Sequence, residues 1–343
     1  MMAEKNASDL FFTPMAPIKI KIEGQIINLG SEPLTVEQVE SAAFGIMNEE
    51  QIETLKHDLE IDFAISEAGL GRYRVNVFHQ RGNLGMVLRY VTLDVPNLDN
   101  LHLPPVLRSL SMIKRGLVLM VGATGSGKST TLAAMVNERN EKSSNHIITI
   151  EEPIEFLHPN KQSIINQREL GLDTKSYARA LKSAMREAPD VVLIGEIRDR
   201  ETMQAAISLA GTGHLCIATL HANNASETLD RIINMFPQTQ HKQIFMDLSH
   251  YLKAIIGQRL VAGKDGKRLA AVEVLINTPH VSDLTAKGDV MGIKDALRDS
   301  AEEGMQSFDS AIFGLYKEGL IDLEVALSSA DSATDLEAKI NFG

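Results

Sequence analysis

Residues 122–129 constrain the fold and the chemistry of this chain more than any other stretch. Their sequence, GATGSGKS, fits the phosphate-binding loop pattern G-x-x-x-x-G-K-[ST]. The apolar residues 117–121 before the loop predict a buried strand, and residues 130–136 after it predict a helix. In such a strand–loop–helix unit, backbone N–H groups turn inward around phosphate oxygens at the positive end of the helix dipole. The sequence therefore predicts a binding site for a nucleoside triphosphate.

Individual positions of this phosphate loop (residues 122–129) have separate expected roles. Lys128 is expected to reach the β- and γ-phosphates, and the Ser129 hydroxyl is expected to hold Mg²⁺. The glycines let the backbone approach the phosphates closely. The residues predicted to bind ATP in and beside the loop are Gly122, Thr124, Gly125, Ser126, Gly127, Lys128, Ser129 and Thr130.

Length and composition limit the class of protein. The chain has 343 residues, which suggests two domains, and 44% of them are hydrophobic, enough for real cores. Its net charge of -11 provides no overall positive field for nucleic acid or an anionic bilayer. The single cysteine, Cys216, excludes an internal disulfide and a multi-cysteine metal site, and its apolar neighbours predict a buried thiol. Residues 1–6 are polar and no apolar run approaches the ~18 residues of a membrane span, so we expect a soluble, cytoplasmic protein.

The amino-terminal part is predicted to be a small α+β domain over residues 1–98. Residues 18–27 alternate apolar and polar side chains around a Glu-Gly turn, which is the pattern of a β-hairpin. Thr35 resembles the first residue of a capping box that opens a helix, and Asn48 can open a second helix. Further strands are expected at residues 62–66, 72–80 and 86–92.

Arginines recur along the strands predicted in this domain. A period of two places Arg72 and Arg74 on the face opposite Val75, and Arg81 and Arg89 follow nearby. Two interpretations are open. The arginines form a solvated face, or some of them reach a triphosphate bound by the second domain or by a neighbouring subunit.

Prolines are densest in residues 95–105, which places a connector at residues 99–106. Residues 107–343 then alternate apolar strands with amphipathic helices, which predicts an α/β domain with a mainly parallel, buried sheet whose ligands bind at the carboxyl ends of strands. From about residue 240 helices are expected to dominate and to form a C-terminal helical portion (240–343). The expected strands are residues 117–121, 146–150, 191–194, 215–220 and 271–276, and the expected helices include residues 176–186 and 201–210.

Acidic residues follow two of these strands. Glu196 comes after residues 191–194 and Gly195, a glycine that stands where the second motif of P-loop enzymes often has aspartate. Glu196 could hold Mg²⁺ through water or polarise the attacking water. Residues 151–155 (EEPIE) follow the strand at 146–150, and one of their carboxylates is a candidate to orient the attacking water. For both segments, the simpler alternative is a polar strand end without a catalytic role.

Two histidines flank the strand predicted at residues 215–220. His214 and His221 are seven residues apart, which is not a zinc-ligand spacing, so no zinc site is expected. His221 follows the strand, where an imidazole can hydrogen-bond a γ-phosphate. The alternative for either histidine is a packed or exposed side chain with no role in the reaction.

Taken together, four segments resemble the motifs of the secretion-ATPase superfamily, the GspE/PilT family of type II/IV secretion. The likeness extends over nearly the whole chain, includes a PAS-like amino-terminal domain, and is strongest to the retraction ATPases of type IV pili, which power twitching motility. The four segments are residues 122–129 (Walker A box), 147–155 (Asp box), 188–198 (Walker B box) and 213–222 (His box).

This resemblance implies a fold, an activity and roles for particular residues. It implies a RecA-like α/β ATPase domain with a parallel-type sheet after the PAS-like domain, and Mg²⁺-dependent ATP hydrolysis in a homo-hexamer. It implies Glu151 as the base and Glu196 as a metal or water ligand, with His214 and His221 as His-box residues. Arginines of the first domain reach nucleotide in this family, so the resemblance extends the same role to some of Arg72, Arg74, Arg81 and Arg89.

The resemblance also implies partners and a location. The expected partners are an inner-membrane platform protein of the pilus and a PilT-type ATPase, with no nucleic acid. The protein would then lie in the cytoplasm at the inner-membrane base of the pilus machine, peripheral to the membrane through its protein partners.

Four details refine the resemblance. Glu152 stands where the Asp box usually has aspartate. Residues 281–284 (VSDL) lack the arginine of the Ala-Ile-Arg signature needed for retraction, and this absence supports an accessory motor acting with a PilT-type ATPase. Two tail segments, residues 304–309 and 330–336, are most similar to one branch of the retraction ATPases. A chain with one cysteine cannot form the four-cysteine zinc insert usual in pilus-extension ATPases.

Two other classes of function are alternatives to the retraction motor. A RecA-like nucleic-acid motor is disfavoured by the acidic composition and by the lack of a basic, aromatic-bearing stretch. A nucleotide-gated accessory protein with little hydrolysis of its own stays open. Intact Lys128, Glu151 and Glu196 argue against an inactive enzyme but not against a slow one that depends on a partner.

Overall fold

The structure, a computed structural model, describes residues 2, 5, 7–22, 24–67, 71–91, 94–298 and 304–342. Parts of the polar terminus (residues 1–6), Glu23 of the expected hairpin turn and Thr92 at an expected strand end lie outside the described residues. The chain divides into two compact units, one of Met1–Asp94 with Glu155–Leu157 and one of Val95–Ile154 with His158–Gly343. The domain and linker boundaries expected from the sequence stay a prediction.

The first unit is built on an antiparallel sheet with two helices. Its strands are β1 (Ala7–Phe12), β2 (Lys19–Ile22), β3 (Gln25–Asn28), β4 (Glu60–Glu67), β5 (Gly71–Gln80) and β6 (Asn83–Val91), and its helices are α1 (Val36–Phe44) and α2 (Glu49–Asp58). The strands are ordered β3-β2-β1-β6-β5-β4, and all neighbours are antiparallel. The expected hairpin is formed by β2 and β3.

Both helices of the first unit begin where the sequence predicts. The Thr35 hydroxyl accepts from the N–H of Gln38 at 3.2 Å, and the Gln38 side chain accepts from the N–H of Thr35 at 2.8 Å. Asn48 and Gln51 make the same reciprocal pair at 2.9 and 2.8 Å. Each capping box satisfies two N–H groups that the first helical turn leaves without partners. The caps therefore set where α1 and α2 start.

The four arginines of interest all lie in the first unit. Arg72 and Arg74 lie on β5, and Arg81 lies in the turn to β6 with a left-handed φ of 48°. Arg89 on β6 donates to the buried Asp9 at 2.8 Å. Contact between any of these arginines and a nucleotide stays a prediction.

The second unit alternates strands and helices. Its strands are β7 (Gly116–Val121), β8 (His146–Glu151), β9 (Ile164–Glu169), β10 (Val191–Ile194), β11 (Leu215–Leu220), β12 (Leu252–Ala262) and β13 (Arg268–Ile276). Its helices are α3 (Val106–Ser111), α4 (Lys128–Lys142), α5 (Tyr177–Ala184), α6 (Arg200–Gly211), α7 (Ala225–Asn234), α8 (His241–Tyr251), α9 (Pro279–Lys287), α10 (Val290–Arg298), α11 (Phe308–Lys317), α12 (Leu323–Ser329) and α13 (Ala333–Phe342). Short 3₁₀ turns cover Leu98–Asn100 and Gln238–Gln240.

The sheet of the second unit is parallel except at one edge. Its strands are ordered β13-β12-β7-β11-β10-β8-β9, and β13 alone pairs antiparallel, with β12. Alternate residues of β7 face two separate cores: Leu119 and Val121 lie in one, and Val118 and Met120 in the other. Because the parallel strands all point the same way, the segments that follow β7, β8, β10 and β11 meet at one edge of the sheet.

The mainly parallel, buried sheet predicted from the sequence is confirmed, and so is the C-terminal helical portion. Between α8 and α9 the chain adds β12 and β13, of which only part of β13 was expected; β9 was not expected either. The run at β12, LKAIIGQRLVA, follows α8 without a break and carries polar residues in its middle. A mixed run of this kind cannot be separated from a continuing helix by periodicity alone.

Cys216 is a free thiol on β11 and is 0% exposed. Burial raises its pKa to about 12, so the thiol stays protonated at neutral pH and is shielded from oxidants. The predicted buried thiol is confirmed. Among the described residues, no helix combines the length and the apolar character needed to cross a bilayer.

Candidate active site

The phosphate loop connects β7, an interior strand between β12 and β11, to α4. Gly122, Gly125 and Gly127 have φ angles of 149°, 78° and 85°, a region that residues with a side chain rarely adopt. At Gly122, an added Cβ would also lie 2.4 Å from the carbonyl oxygen of Gln258. The glycines of the motif are therefore required by the shape of the loop itself.

Lys128, the first residue of α4, reaches back across the loop. Its Nζ donates to the carbonyl oxygens of Gly122 at 2.7 Å and Ala123 at 2.9 Å. Burial lowers the pKa of Lys128, and the nearby Glu196 carboxylate opposes this change. The arrangement places a positive charge inside the loop that the motif assigns to phosphates.

Gln258 on β12 holds the phosphate loop from the neighbouring strand. Its side chain is 2% exposed, donates to the Ser126 carbonyl at 2.8 Å and accepts from the Thr131 hydroxyl at 2.8 Å. The two bonds tie the loop to the first turn of α4. Sequence reasoning missed Gln258 because β12 was not expected. The signal was a glutamine inside an apolar run, since buried polar residues are uncommon and usually bonded.

Replacing Gln258 with leucine is expected to raise the KM for ATP and to lower the melting temperature by about 5 °C. Leucine has a similar volume but leaves the Ser126 carbonyl and the Thr131 hydroxyl buried without partners, at a cost of about 2–4 kcal/mol. Steady-state kinetics and thermal unfolding measure the two effects. Gln243→Leu on the exposed face of α8 is the matched control, and a Gln258→Leu protein with wild-type values would contradict the role.

Glu196 lies just beyond β10 and sits between two basic side chains. Its Oε1 lies 2.7 Å from Nε2 of His221, and its Oε2 accepts from Nε of Arg198 at 2.8 Å. Arg198 also lies 3.0 Å from the Glu152 carboxylate. The sequence singled out Glu196 and His221 separately, and Arg198 was missed as the residue that connects Glu196 with Glu152.

Glu151 ends β8 at the same edge of the sheet. The Thr149 hydroxyl donates to its Oε1 at 2.6 Å, and the Gln167 side chain donates to the same oxygen at 3.3 Å. These donors fix the orientation of the carboxylate. The structure therefore places Glu151, Glu152 and Glu196 at the adjacent carboxyl ends of β8 and β10, as expected for strand ends of one parallel sheet.

Gly195 is a glycine because the sheet edge leaves no room for a side chain. An added Cβ would lie 3.0 Å from Cα of Glu151 and 3.1 Å from the carbonyl oxygen of Ile150. The Gly195 N–H donates to that same carbonyl at 2.7 Å, so the two segments cannot separate easily. This contact explains why the aspartate often found at this position of P-loop enzymes is absent here.

Replacing Gly195 with alanine is expected to lower stability by about 1–3 kcal/mol, because the Cβ must displace backbone atoms. The displaced backbone carries Glu151, so the kcat for ATP hydrolysis should fall as well. Thermal unfolding and steady-state hydrolysis measure the change. Gly314→Ala on α11, where the new Cβ meets no atom within 4 Å apart from its chain neighbours and the backbone of its own helix, is the control. A normal rate in Gly195→Ala would show that the spacing between the two segments is not critical.

The two histidines lie at opposite ends of β11. His221 follows the carboxyl end and contacts Glu196, as described above. His214 precedes the amino end, where its Nδ1 lies 3.0 Å from the Thr212 hydroxyl. Strand geometry puts about 20 Å between the two histidines, so within one chain His214 lies away from the phosphate loop.

Comparison with known proteins places this site in a family. The family described as "Type II/IV secretion system protein" matches residues 2–298. The chain belongs to this family. That membership confirms the superfamily resemblance deduced from the four sequence boxes.

Individual members of the type II/IV secretion family resemble the chain over its full length. The type IV pilus ATPase PilU of Pseudomonas aeruginosa is 51% identical over 100% of this chain and 90% of PilU. The type IV pilus retractation ATPase PilT of the same organism is 39% identical over 96% of this chain and 95% of PilT. The higher identity to PilU agrees with the branch indicated by the two tail segments.

Solved structures of the family give the same result for the fold. A crystal structure of the pilus retraction motor PilT with bound ADP superimposes with a TM-score of 0.92 at 40% identity, covering 98% of this chain and 96% of that one. The RecA-like fold with a PAS-like amino-terminal unit and C-terminal helices is therefore confirmed. Nucleotide binding follows from membership of this group of ATPases.

Proposed function

We propose that this protein is an ATP-hydrolysing motor of type IV pilus retraction, the process that drives twitching motility. The observation that carries the proposal is the full-length similarity to the pilus ATPases PilU and PilT. The phosphate loop and the carboxylates at the same edge of the sheet supply the groups that hydrolysis needs.

The phosphate loop suits a triphosphate with Mg²⁺. The Ser126 hydroxyl is buried without a hydrogen-bond partner among the described residues, and the ammonium of Lys128 is bonded to loop carbonyls. Both groups can donate to phosphate oxygens in place of their present surroundings. Gly122, Thr124, Gly125, Gly127 and Thr130 would complete the phosphate cradle, and Ser129 and Glu196 would hold Mg²⁺.

The residues around the loop would have different roles in phosphoryl transfer. When bound, Mg²⁺ neutralises charge that develops on the phosphate oxygens, and Lys128 would add a second positive charge. Glu151, oriented by Thr149 and Gln167, would accept a proton of the attacking water and hold that water in line. His221 would contact the γ-phosphate while keeping its bond to Glu196. The release of phosphate would then remove a contact of His221 and change the position of both side chains.

Ring assembly would complete the site. The protein is proposed to form a homo-hexamer, in which some of Arg72, Arg74, Arg81 and Arg89 supply positive charge to nucleotide. His214 lies at the other end of β11 from the phosphate loop, so its contact with nucleotide would come from a neighbouring subunit. Similarity to the PilT motor supports the ring.

The proposed role in the pilus machine also implies a location in the cell. We expect it in the cytoplasm at the inner-membrane base, held there by the platform protein and working with a PilT-type ATPase. Residues 281–284 lie in α9 and lack the arginine of the retraction signature. This difference supports the accessory role of the motor.

Specific ATPase activity is expected to rise with protein concentration as rings form, because neighbouring subunits complete the site. Hydrolysis per subunit would be measured across a dilution series with sizing under the same conditions. Low activity of the isolated protein, together with a mixture that hydrolyses ATP faster than the sum of this protein and a PilT-type ATPase measured separately, would support the accessory motor. Strong stimulation by single-stranded DNA, or no hydrolysis in an assembled ring with or without that partner, would contradict the proposal.

A further inference from the structure

Tyr177 carries a buried hydroxyl that has no hydrogen-bond partner among the described residues. The residue begins α5 and is 9% exposed, and its ring packs in the main core of the second unit. Buried polar groups are nearly always hydrogen-bonded, so an unpaired hydroxyl in a core calls for an explanation. A phenylalanine would fill the same space without leaving a polar atom unpaired.

The hydroxyl lies where the carboxylate-bearing strands end. A Cβ added to Gly195 would lie 3.3 Å from the Tyr177 oxygen and 3.0 Å from Cα of Glu151. The phenol therefore reaches the gap between the segment that leads to Glu196 and the end of β8. The core fixes the ring, so the hydroxyl is held at this edge of the sheet.

Burial and the neighbouring carboxylates keep the phenol of Tyr177 protonated. Burial raises the pKa of Tyr177 above its usual range, and the carboxylates of Glu152, Glu196 and Glu151 raise it further, while Arg198 opposes them. At neutral pH the group is therefore a neutral O–H that can donate.

We propose that Tyr177 is a further residue of the catalytic site, whose hydroxyl donates a hydrogen bond to the attacking water in the nucleotide-loaded protein. A water in that position would give a proton to Glu151 and accept a hydrogen bond from the phenol, which leaves a lone pair for the phosphorus. Glu151 fixes one side of the water and Tyr177 fixes another. This inference rests on the proposed ATP hydrolysis and adds a residue to it.

Tyr177→Phe tests the proposal, because it removes one oxygen and keeps the packing. The kcat should fall roughly tenfold, the contribution of about one hydrogen bond, while the KM for ATP stays within about twofold. Binding of Mg²⁺·ADP with aluminium fluoride, a mimic of the transferring phosphoryl group, should weaken roughly tenfold, and binding of ADP alone should not change. The melting temperature of the nucleotide-free protein should stay the same or rise.

Tyr316→Phe on α11 is the matched control and should behave as wild type in each assay. A wild-type kcat and aluminium fluoride affinity in Tyr177→Phe would overturn the proposal. A kcat that falls together with the melting temperature would also overturn it, because that result indicates a packing role. Absence of hydrolysis by the wild-type ring contradicts the proposed function instead, so the two failures can be told apart.

Discussion

Replacing Lys128 with alanine is expected to lower kcat at least about a thousandfold and to weaken ATP binding, since positive charges on the transferring phosphoryl group contribute on this scale. The ammonium lies inside the phosphate loop, within 2.7 Å of Gly122 O and 2.9 Å of Ala123 O. Alanine leaves the loop backbone without this charge in the ground state and in the transition state. Both the KM and the kcat should therefore change.

The measurement for Lys128→Ala is steady-state hydrolysis together with direct binding of a fluorescent ATP analogue. Lys317→Ala, at an exposed position of α11, controls for the loss of one lysine from the chain. The variant should keep its fold because the two carbonyls that Lys128 contacts can bond to water instead. Hydrolysis at the wild-type rate in Lys128→Ala would show that the phosphate loop is not the site.

The phosphate loop could be predicted because its information is local. Eight consecutive residues specify the turn, the cap of α4 and the lysine, and the flanking apolar runs specify the strand and the helix. The same holds for the caps at Thr35 and Asn48, where each partner lies three residues away. Hydrogen bonds of this kind can be predicted from the sequence because both partners lie within a few residues of each other.

The remainder of the site depends on contacts between distant segments. Gln258 acts on Ser126 across 132 residues, and it could not be assigned while β12 was undetected. The role of Gly195 becomes visible when β8 is seen to lie against β10. The sequence pattern alone gives Tyr177 an apolar position of an amphipathic helix. Only the structure, which places the strand ends around it, shows that its hydroxyl has no partner among the described residues. Strand order, which sequence periodicity does not contain, is the missing information.

Replacing Glu196 with glutamine is expected to preserve ATP binding and to lower kcat by about a hundredfold to a thousandfold. Glutamine keeps the shape and one oxygen acceptor for Arg198, but it removes the negative charge that the metal and the attacking water require. The side chain is partly exposed and paired with Arg198 and His221, so the loss of the pairs should change stability by less than about 1 kcal/mol. Equilibrium binding and single-turnover hydrolysis separate the two effects.

Glu152→Gln is the matched control for this prediction, because Glu152 contacts the same arginine at 3.0 Å. If Glu196 acts through its charge at the reacting centre, Glu152→Gln should retain most of the activity. Equal loss in both variants would instead assign the effect to Arg198, which both carboxylates hold. Combining Glu196→Gln with Glu151→Gln shows whether the two carboxylates have one role or two. A double variant whose kcat is no lower than that of the single variants indicates that both carboxylates act on one water as a unit. Losses of activation free energy that add in the double variant indicate separate roles for base and metal ligand.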